Sequence, residues 1–577
     1  MARVRCGCVL TARPPSGTLL PPPAAHPSPP QASLTGYDYT KCSYVNITDV
    51  YGPDCRFALL RLVAALFGAA AVPLMYLIAR GWHASPRGAL LAAALLNFDM
   101  LNLMESRYIL MDSQLLFWCA LCLLVAQRWW ARLNAALDAE RRFAARYGAQ
   151  FDAGDAAHCA TDAALLGRAE HARWLLAVGV SCGFAVSVKW TGLATPAMVA
   201  VESFFGAFFL RRPLPLADGL VVLAAAAAVY AYFFYCHFWV GSHTGEGAGF
   251  MPLEFRRTLI GDGAYDAAAP APWFLASMWR LNVEMLLANA RISIRHAWET
   301  VWWEWILNLR GLLYYSKDAG HSYTNAIYLL GNPVVIWLVA AGVAASATLL
   351  TCACRCRRFG AAPGALAVYF AALDKWAPLW AVLAYCLCAY VANLAPYAAV
   401  ARSCFIYHYM PGLMYGELAT ALLIDALAGR RWMPVAFKVV LAPVVICFLY
   451  YAPWIYLFAL TNDGHVSAAG AREGEEEGEA GGCAAAVRGK GRNLPRPAPS
   501  FSPSLRAGPA PLARAMELAE HTPLPHYDTS WTMRAAGFSA LPPICFPLRS
   551  DKPRRCSFLR LCSAQPLPPP PPLQTNN

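Results

Sequence analysis

The chain has 577 residues, of which 58% are hydrophobic and only 14% charged, with a mean hydropathy of +0.39; one water-soluble core cannot hide that much apolar surface, so lipid has to cover it. The formal charge of +12 does not point to nucleic acid, because Lys and Arg stand in short clusters between apolar runs and not on one basic face. Twenty cysteines form no metal-binding array: no ligand pair at zinc spacing follows Cys352, Cys354 and Cys356, and no metal is expected.

Residues 1–34 are rich in Pro, Ala and Ser and hold no apolar run long enough for a signal peptide or a span. A short polar loop follows with the glycosylation acceptor pattern Asn46-Ile47-Thr48, which places it in a lumen if used. Cys42 and Cys55 flank this loop and are candidates for a disulfide. Ten apolar runs then recur, at about 57–79, 87–106, 108–126, 172–189, 190–210, 217–239, 327–351, 374–396, 405–427 and 433–460. Each has about 18 residues or more, enough to cross about 30 Å of hydrocarbon as a helix. The expectation is an all-α polytopic membrane protein of about ten transmembrane helices over 35–462, with a low-complexity segment at 1–34 and a disordered tail at 463–577.

Orientation follows from charge, since basic residues collect in short cytoplasmic loops. With the Asn46 loop outside, Arg80 and Arg87, Arg128 to Arg173, Arg211 and Arg212, Arg355 to Arg358, and Arg430 and Arg431 all fall inside. In the short connections on the other side only Arg107, Lys189 and Arg402 remain, each near a helix end, where a lone charge is costly without a partner or a ligand. The inside loop 127–172 reads as a surface helix. Cys119 and Cys122 read as small core residues, and Cys352, Cys354 and Cys356, beside Arg355, Arg357 and Arg358, as a candidate acylation site.

Four stretches carry polar chemistry on the outer side. Asp99, Glu105, Arg107 and Asp112 sit in or beside the bilayer and either form a structural ion-pair network or line a polar cavity. The loop 240–326 holds Gly241, His243, Gly245, Glu246 and Gly247, read either as solvated turns or as backbone that approaches a ligand. His296 to Trp337 packs Trp298, Trp302, Trp303, Trp305, Tyr314 and Tyr315 among Glu299, Glu304 and Arg310, either an interfacial aromatic belt or the wall of a ligand cleft. Arg402 to Pro411 closes the set.

The order of these residues resembles the protein O-mannosyltransferase family. An Asp followed six residues on by E/Q-S-R-x-I-L-x-D-S is matched at Asp99, Glu105, Ser106, Arg107, Ile109, Leu110, Asp112 and Ser113. Ser187, Val188, Lys189, Trp190 and Gly192 match S-V-K-W-x-G; His237, Phe238, Gly245, Phe250, Met251 and Pro252, with Phe255 and Leu259, are similar to its lumenal loop. The aromatic stretch carries H-x-W-x-T-x-WW-x-W at His296 to Trp305, Leu309 and Arg310, Tyr314 and Tyr315, and I-Y-x-L-G-N-P at Ile327 to Pro333, including Asn332. Asn393, Pro396, Arg402, Phe405, Tyr407, His408, Tyr409 and Pro411 match the last motif, so the resemblance covers about 57–460.

That resemblance implies a GT-C glycosyltransferase-like bundle in the endoplasmic reticulum membrane. It implies inverting transfer of mannose from dolichyl phosphate mannose, the lipid-linked donor, to Ser/Thr hydroxyls of secretory polypeptides, with no cofactor. An acidic residue then takes the hydroxyl proton, and cationic groups hold the departing phosphate. On this reading Arg107, Lys189, Arg402, His408 and Tyr409 bind the donor phosphate and lipid. Asp99, Glu105, Asp112, His237, Glu246, His296, Trp302, Trp303, Arg310 and Asn332 line the cleft. Two departures stand out. The family's presumed base lies in an Asp-Glu motif behind a first span, and neither precedes Asp38, which leaves the catalytic residue unassigned and suggests an incomplete front. The loop 240–326 is also too short for the MIR repeat domain of many members. The family's tendency to pair makes a homo- or heterodimer an expected assembly. A non-catalytic partner subunit is the first rival reading; a polytopic lipid or solute transporter, which would be expected to show inverted repeats, is the second.

Overall fold

The computed structural model describes residues 57–147, 166–245, 248–292, 295–320, 323–359, 377–400 and 402–461. Asp38, Cys42, Asn46, Cys55 and Glu246, and the segments 1–34 and 463–577, lie outside the described residues.

The first apolar run is α1, Phe57–Gly81. Ser85 then starts α2, Pro86–Phe98, by accepting the Gly88 N–H at 3.1 Å, with Pro86 at the first helical position where its missing N–H costs nothing. Asp99 breaks the helix, and α3, Met100–Arg107, leaves at 53° to α2. α4 runs unbroken from Asp112 to Tyr147. The surface helix expected at 127–172 is therefore, up to residue 147, the continuation of a span, and Trp129 and Trp130 are fully buried in the bundle. α5 is Arg168–Val188, α6 Ala194–Phe205 and α7 Leu216–Val240. The run 190–210 falls short of a span for a local reason. Gly206 turns into the left-handed region at φ 54°, and the Glu202 carboxylate accepts the N–H groups of Phe208, Phe209 and Leu210 at 2.5–2.9 Å, so the chain folds back.

The outer loop contains α8, Phe274–Ala290, whose Trp279 is 71% exposed beside an equally bare Trp273, as suits a helix lying at a headgroup layer. α9, Trp302–Leu307, leads into β1, Leu312–Gly320, and β2, Tyr323–Leu329, which pair antiparallel from Leu312 opposite Leu329. Thus the opening of the run 327–351 is strand and link, and the helix, α10, is Pro333–Phe359. α11 is Ala377–Leu394, α12 Met410–Tyr456, and β3, Leu460–Thr461, completes a three-stranded sheet that the all-α expectation did not contain. β-prone Tyr and Ile residues at 314, 315, 327 and 328 account for it.

α12 holds two of the expected spans. It breaks at Gly429 (φ 59°, ψ −178°), and both its ends reach the same end of the bundle: Lys189 meets Tyr407, and Arg107 meets Ile455 and Tyr456. By length and composition, seven described helices can cross a bilayer, or eight with α2 and α3 as one bent span. The chain is a multi-pass membrane protein. α12 packs against α2, α10 and α11, α1 against α2 and α4, and α7 on α5 presents most of its surface outward, to lipid. Cys119 and Cys122 are core residues, with Cys122 Sγ 3.4 Å from Cys182 Sγ.

Candidate active site

The outer ends of the helices converge on an ion pair. Lys189 follows the last turn of α5, and its Nζ lies 2.5 Å from Oδ1 of Asp112, the first residue of α4, where the helix dipole favours an anion. A tight turn, Trp190–Leu193, presents the lysine, and Gly192 has to be glycine there because a Cβ would run into the Ala185 carbonyl oxygen. The ammonium also stands 5.1 Å from the centre of the Tyr407 ring, a cation–π distance. Asp112 is 5% and Lys189 18% exposed at the side chain, so the pair is largely out of water.

His408 is the neighbour of this pair. Its ring lies 4.5 Å from Tyr407, 5.3 Å from Tyr397 and 6.2 Å from Trp305, stacked on the first and last. Nδ1 faces the Phe405 backbone, 3.2 Å from its nitrogen and 3.0 Å from its carbonyl oxygen. Lys189, Asp112 and Arg402 all lie within electrostatic range of His408. Lys189 and Arg402, two of the three outer cations, thus stand near the same imidazole.

The aromatic stretch holds that wall in place. Thr300 and Cys404 form an isolated antiparallel bridge, the Thr300 N–H donating to the Cys404 carbonyl at 2.8 Å, and the fully buried Trp305 indole donates to the Thr300 hydroxyl at 2.7 Å. The Glu299 carboxylate accepts the Ser403 hydroxyl at 2.6 Å and pairs with Arg295 at 2.7 Å; these contacts, the hydroxyl first, hold its carboxyl below the usual Glu range. From β1, Tyr314 donates to the Glu105 carboxylate at 2.5 Å, and burial pushes its phenol well above the ordinary value.

Other expected site residues stand elsewhere. Arg107 donates to the Ile455 carbonyl and lies 4.5 Å over the Tyr456 ring, so it is anchored to the end of α12 and not to the Lys189 cluster. Tyr409 is buried, its hydroxyl 2.6 Å from that of Tyr390 inside the bundle, so it belongs to the core and not to a phosphate site. Asn332 and Asp99 are buried too and act as a clamp. The Asn332 amide donates to the Phe98 and Val444 carbonyls at 3.0 Å each, and its backbone N–H donates to Asp99 at 3.1 Å, which ties the α2–α3 break to α12. His237, His296, Trp303 and Arg310 are exposed and Trp302 is half-buried; Arg310 donates to the Ala297 carbonyl at 3.2 Å, and His296 accepts the Trp298 N–H at 3.1 Å. Tyr407, Tyr397 and Tyr314 were missed as site residues, although Tyr407 and Tyr314 stand inside quoted motifs. Among the described residues no group of three or more His, Cys, Asp or Glu is placed to hold a metal ion.

The architecture is shared with solved proteins. The structure of the S. cerevisiae protein O-mannosyltransferase Pmt1-Pmt2 complex bound to the sugar donor superposes with a TM-score of 0.60 at 16% identity, covering 74% of this chain and 83% of that one. The fold is thus that of a GT-C membrane glycosyltransferase. By sequence, residues 25–143 and 158–242 match the family described as dolichyl-phosphate-mannose-protein mannosyltransferase, and 274–469 match the C-terminal four TMM region of protein-O-mannosyltransferase. The chain belongs to the protein O-mannosyltransferase family. Dolichyl-phosphate-mannose-protein mannosyltransferase 1 of Candida albicans is 29% identical over 229 residues, 38% of this chain and 22% of that protein. Polyprenol-phosphate-mannose-protein mannosyltransferase of Corynebacterium glutamicum is 23% identical over 306 residues, 48% of this chain and 54% of that one. The chain thus matches only about a fifth of the first and about half of the second.

Proposed function

We propose that this chain transfers mannose from dolichyl phosphate mannose to Ser/Thr hydroxyls of secretory polypeptides in the endoplasmic reticulum membrane, with inversion at the anomeric carbon. The observation that carries the reading is the Lys189–Asp112 pair set against Tyr407 and His408 at the outer end of the bundle, with Arg402 within electrostatic range of the imidazole. A departing polyprenyl phosphate develops negative charge, and fixed cations in a site shielded from water stabilise it far better than solvent does. Lys189 and Arg402 supply those charges, Tyr407 and His408 wall them, and Arg107 flanks the entry beside Glu105. The exposed Trp303, Arg310 and His296 border the side from which the acceptor arrives. The names of the relatives and the family match support the same reaction.

A second reading, a ligand-binding partner subunit, is favoured by the state of the carboxylates. Asp112 is paired with Lys189, Glu105 accepts from Tyr314, and Glu299 is held by Ser403 and Arg295, so each of these three is engaged where a base has to be open. Microsomes carrying the chain, dolichyl phosphate mannose and a Ser/Thr-rich peptide separate the two. Transfer by the chain alone, reduced at least about 100-fold in Arg402→Glu, supports the enzyme; transfer only with a second family member present supports the subunit. Wild-type transfer by Arg402→Glu removes that residue from the site.

A further inference from the structure

At the opposite end of the bundle a cavity of about 1430 Å³ opens between the α1–α2 loop and the break in α12. From Met410 to Gly429 the helix rises roughly 30 Å, so this cavity and the Lys189 cluster are a membrane thickness apart. Its wall carries Arg80, His83, Arg87 and Arg430 against a single acid, Asp425. That acid is already occupied: it accepts the Ser85 N–H at 2.7 Å and the Ser85 hydroxyl. Gly88 lets α2 approach so closely that a side chain there would collide with the Asp425 carboxyl, which fixes the floor. Arg80 is tethered to the Ala84 carbonyl, whereas Arg87 and Arg430 are exposed and make no ion pair among the described residues. Tyr76, Leu90 and Met433 give the same cavity an apolar flank.

We propose that this cavity binds the phosphate headgroup of an anionic phospholipid from the cytoplasmic leaflet, the acyl chains lying along the apolar flank. Uncompensated arginines at a span end, beside apolar surface, are what such a headgroup requires, and basic pockets between helices on this side of a membrane serve that purpose. The site is separate from the transfer reaction and does not depend on it.

The test is native mass spectrometry of the full chain released from nanodiscs of phosphatidylcholine mixed with phosphatidylinositol, with Arg87→Gln/Arg430→Gln compared against Arg141→Gln/Arg142→Gln, which removes the same charge from the exposed end of α4. Phosphatidylinositol is expected to remain bound to the wild type and the α4 variant, and to bind roughly 30-fold more weakly to the cavity variant. Thermal unfolding in detergent checks that both variants fold, and a cavity variant that fails to fold is replaced by the single Arg430→Gln, expected to lose about 5-fold. Equal retention by all three proteins, or equal loss from both variants, overturns the site. Displacement of the lipid by inorganic phosphate at comparable concentration overturns the assignment to a lipid.

Discussion

Removing one member of the Lys189–Asp112 pair strands the other charge in a site largely closed to water. Lys189→Met is therefore expected to destabilise the bundle by about 3 kcal/mol, while Asp112→Asn/Lys189→Met recovers most of that loss, because two neutral groups carry no unpaired charge. Thermal unfolding of the three proteins in detergent checks the stability, and neither variant is expected to regain transfer. Glu299 makes a pH prediction of defined sign. Its carboxyl is held below the ordinary range, chiefly by the Ser403 hydroxyl, so the tether is intact above that range and is lost as pH falls through the lowered value. Protection of the Thr300 amide, which closes the bridge to Cys404, is expected to persist to pH below ordinary Glu titration and then to fall. In Glu299→Gln that acid transition is absent; an unchanged transition contradicts the tether.

The elements differ in how far residue order revealed them. Apolar length located the helices that can cross the bilayer, because a span has to satisfy all its backbone groups internally and the signal is therefore continuous, whereas α8 inside the loop 240–326 was not foreseen. The exceptions have local causes. Glu202 and Gly206 end α6 early by turning the backbone on itself, and Asp99 bends a single run into α2 and α3. In the candidate site, lone-charge reasoning grouped Arg107 with Lys189 and Arg402, but it did not foresee that Lys189 pairs with Asp112 or that Arg107 finds its partners on the far half of α12. Asn332 looked like a cleft residue because it is polar beside aromatics, whereas it serves the helix break. Asn332→Ala removes the buried amide's bonds to the Phe98 and Val444 carbonyls and is expected to cost about 3 kcal/mol. Hydrogen exchange at α3 and at the second half of α12 should rise together, which a defect confined to the β2–α10 link would not produce.

On the scale of the whole molecule, two ends of one bundle carry opposite duties. The end with Arg80, Arg87, Asp138–Arg211 and Arg430 gathers the basic clusters, and the end with Lys189, Arg402 and His408 holds few charges and sets Lys189 and His408 against aromatic rings. The largely unburied surface of α7 and the bare Trp273 and Trp279 at α8 suit a position of that second end at the lipid boundary. The central claim is that Lys189 and Arg402 together grip the donor phosphate. Equilibrium binding of dolichyl phosphate mannose to the detergent-solubilised chain tests it most directly. Lys189→Met/Arg402→Gln, with Arg295→Gln as a control of exposed charge, is expected to weaken donor binding by at least about 100-fold, as loss of two charge-assisted contacts to a phosphate requires. Donor affinity equal to that of the wild type in a double variant that remains folded would contradict the account.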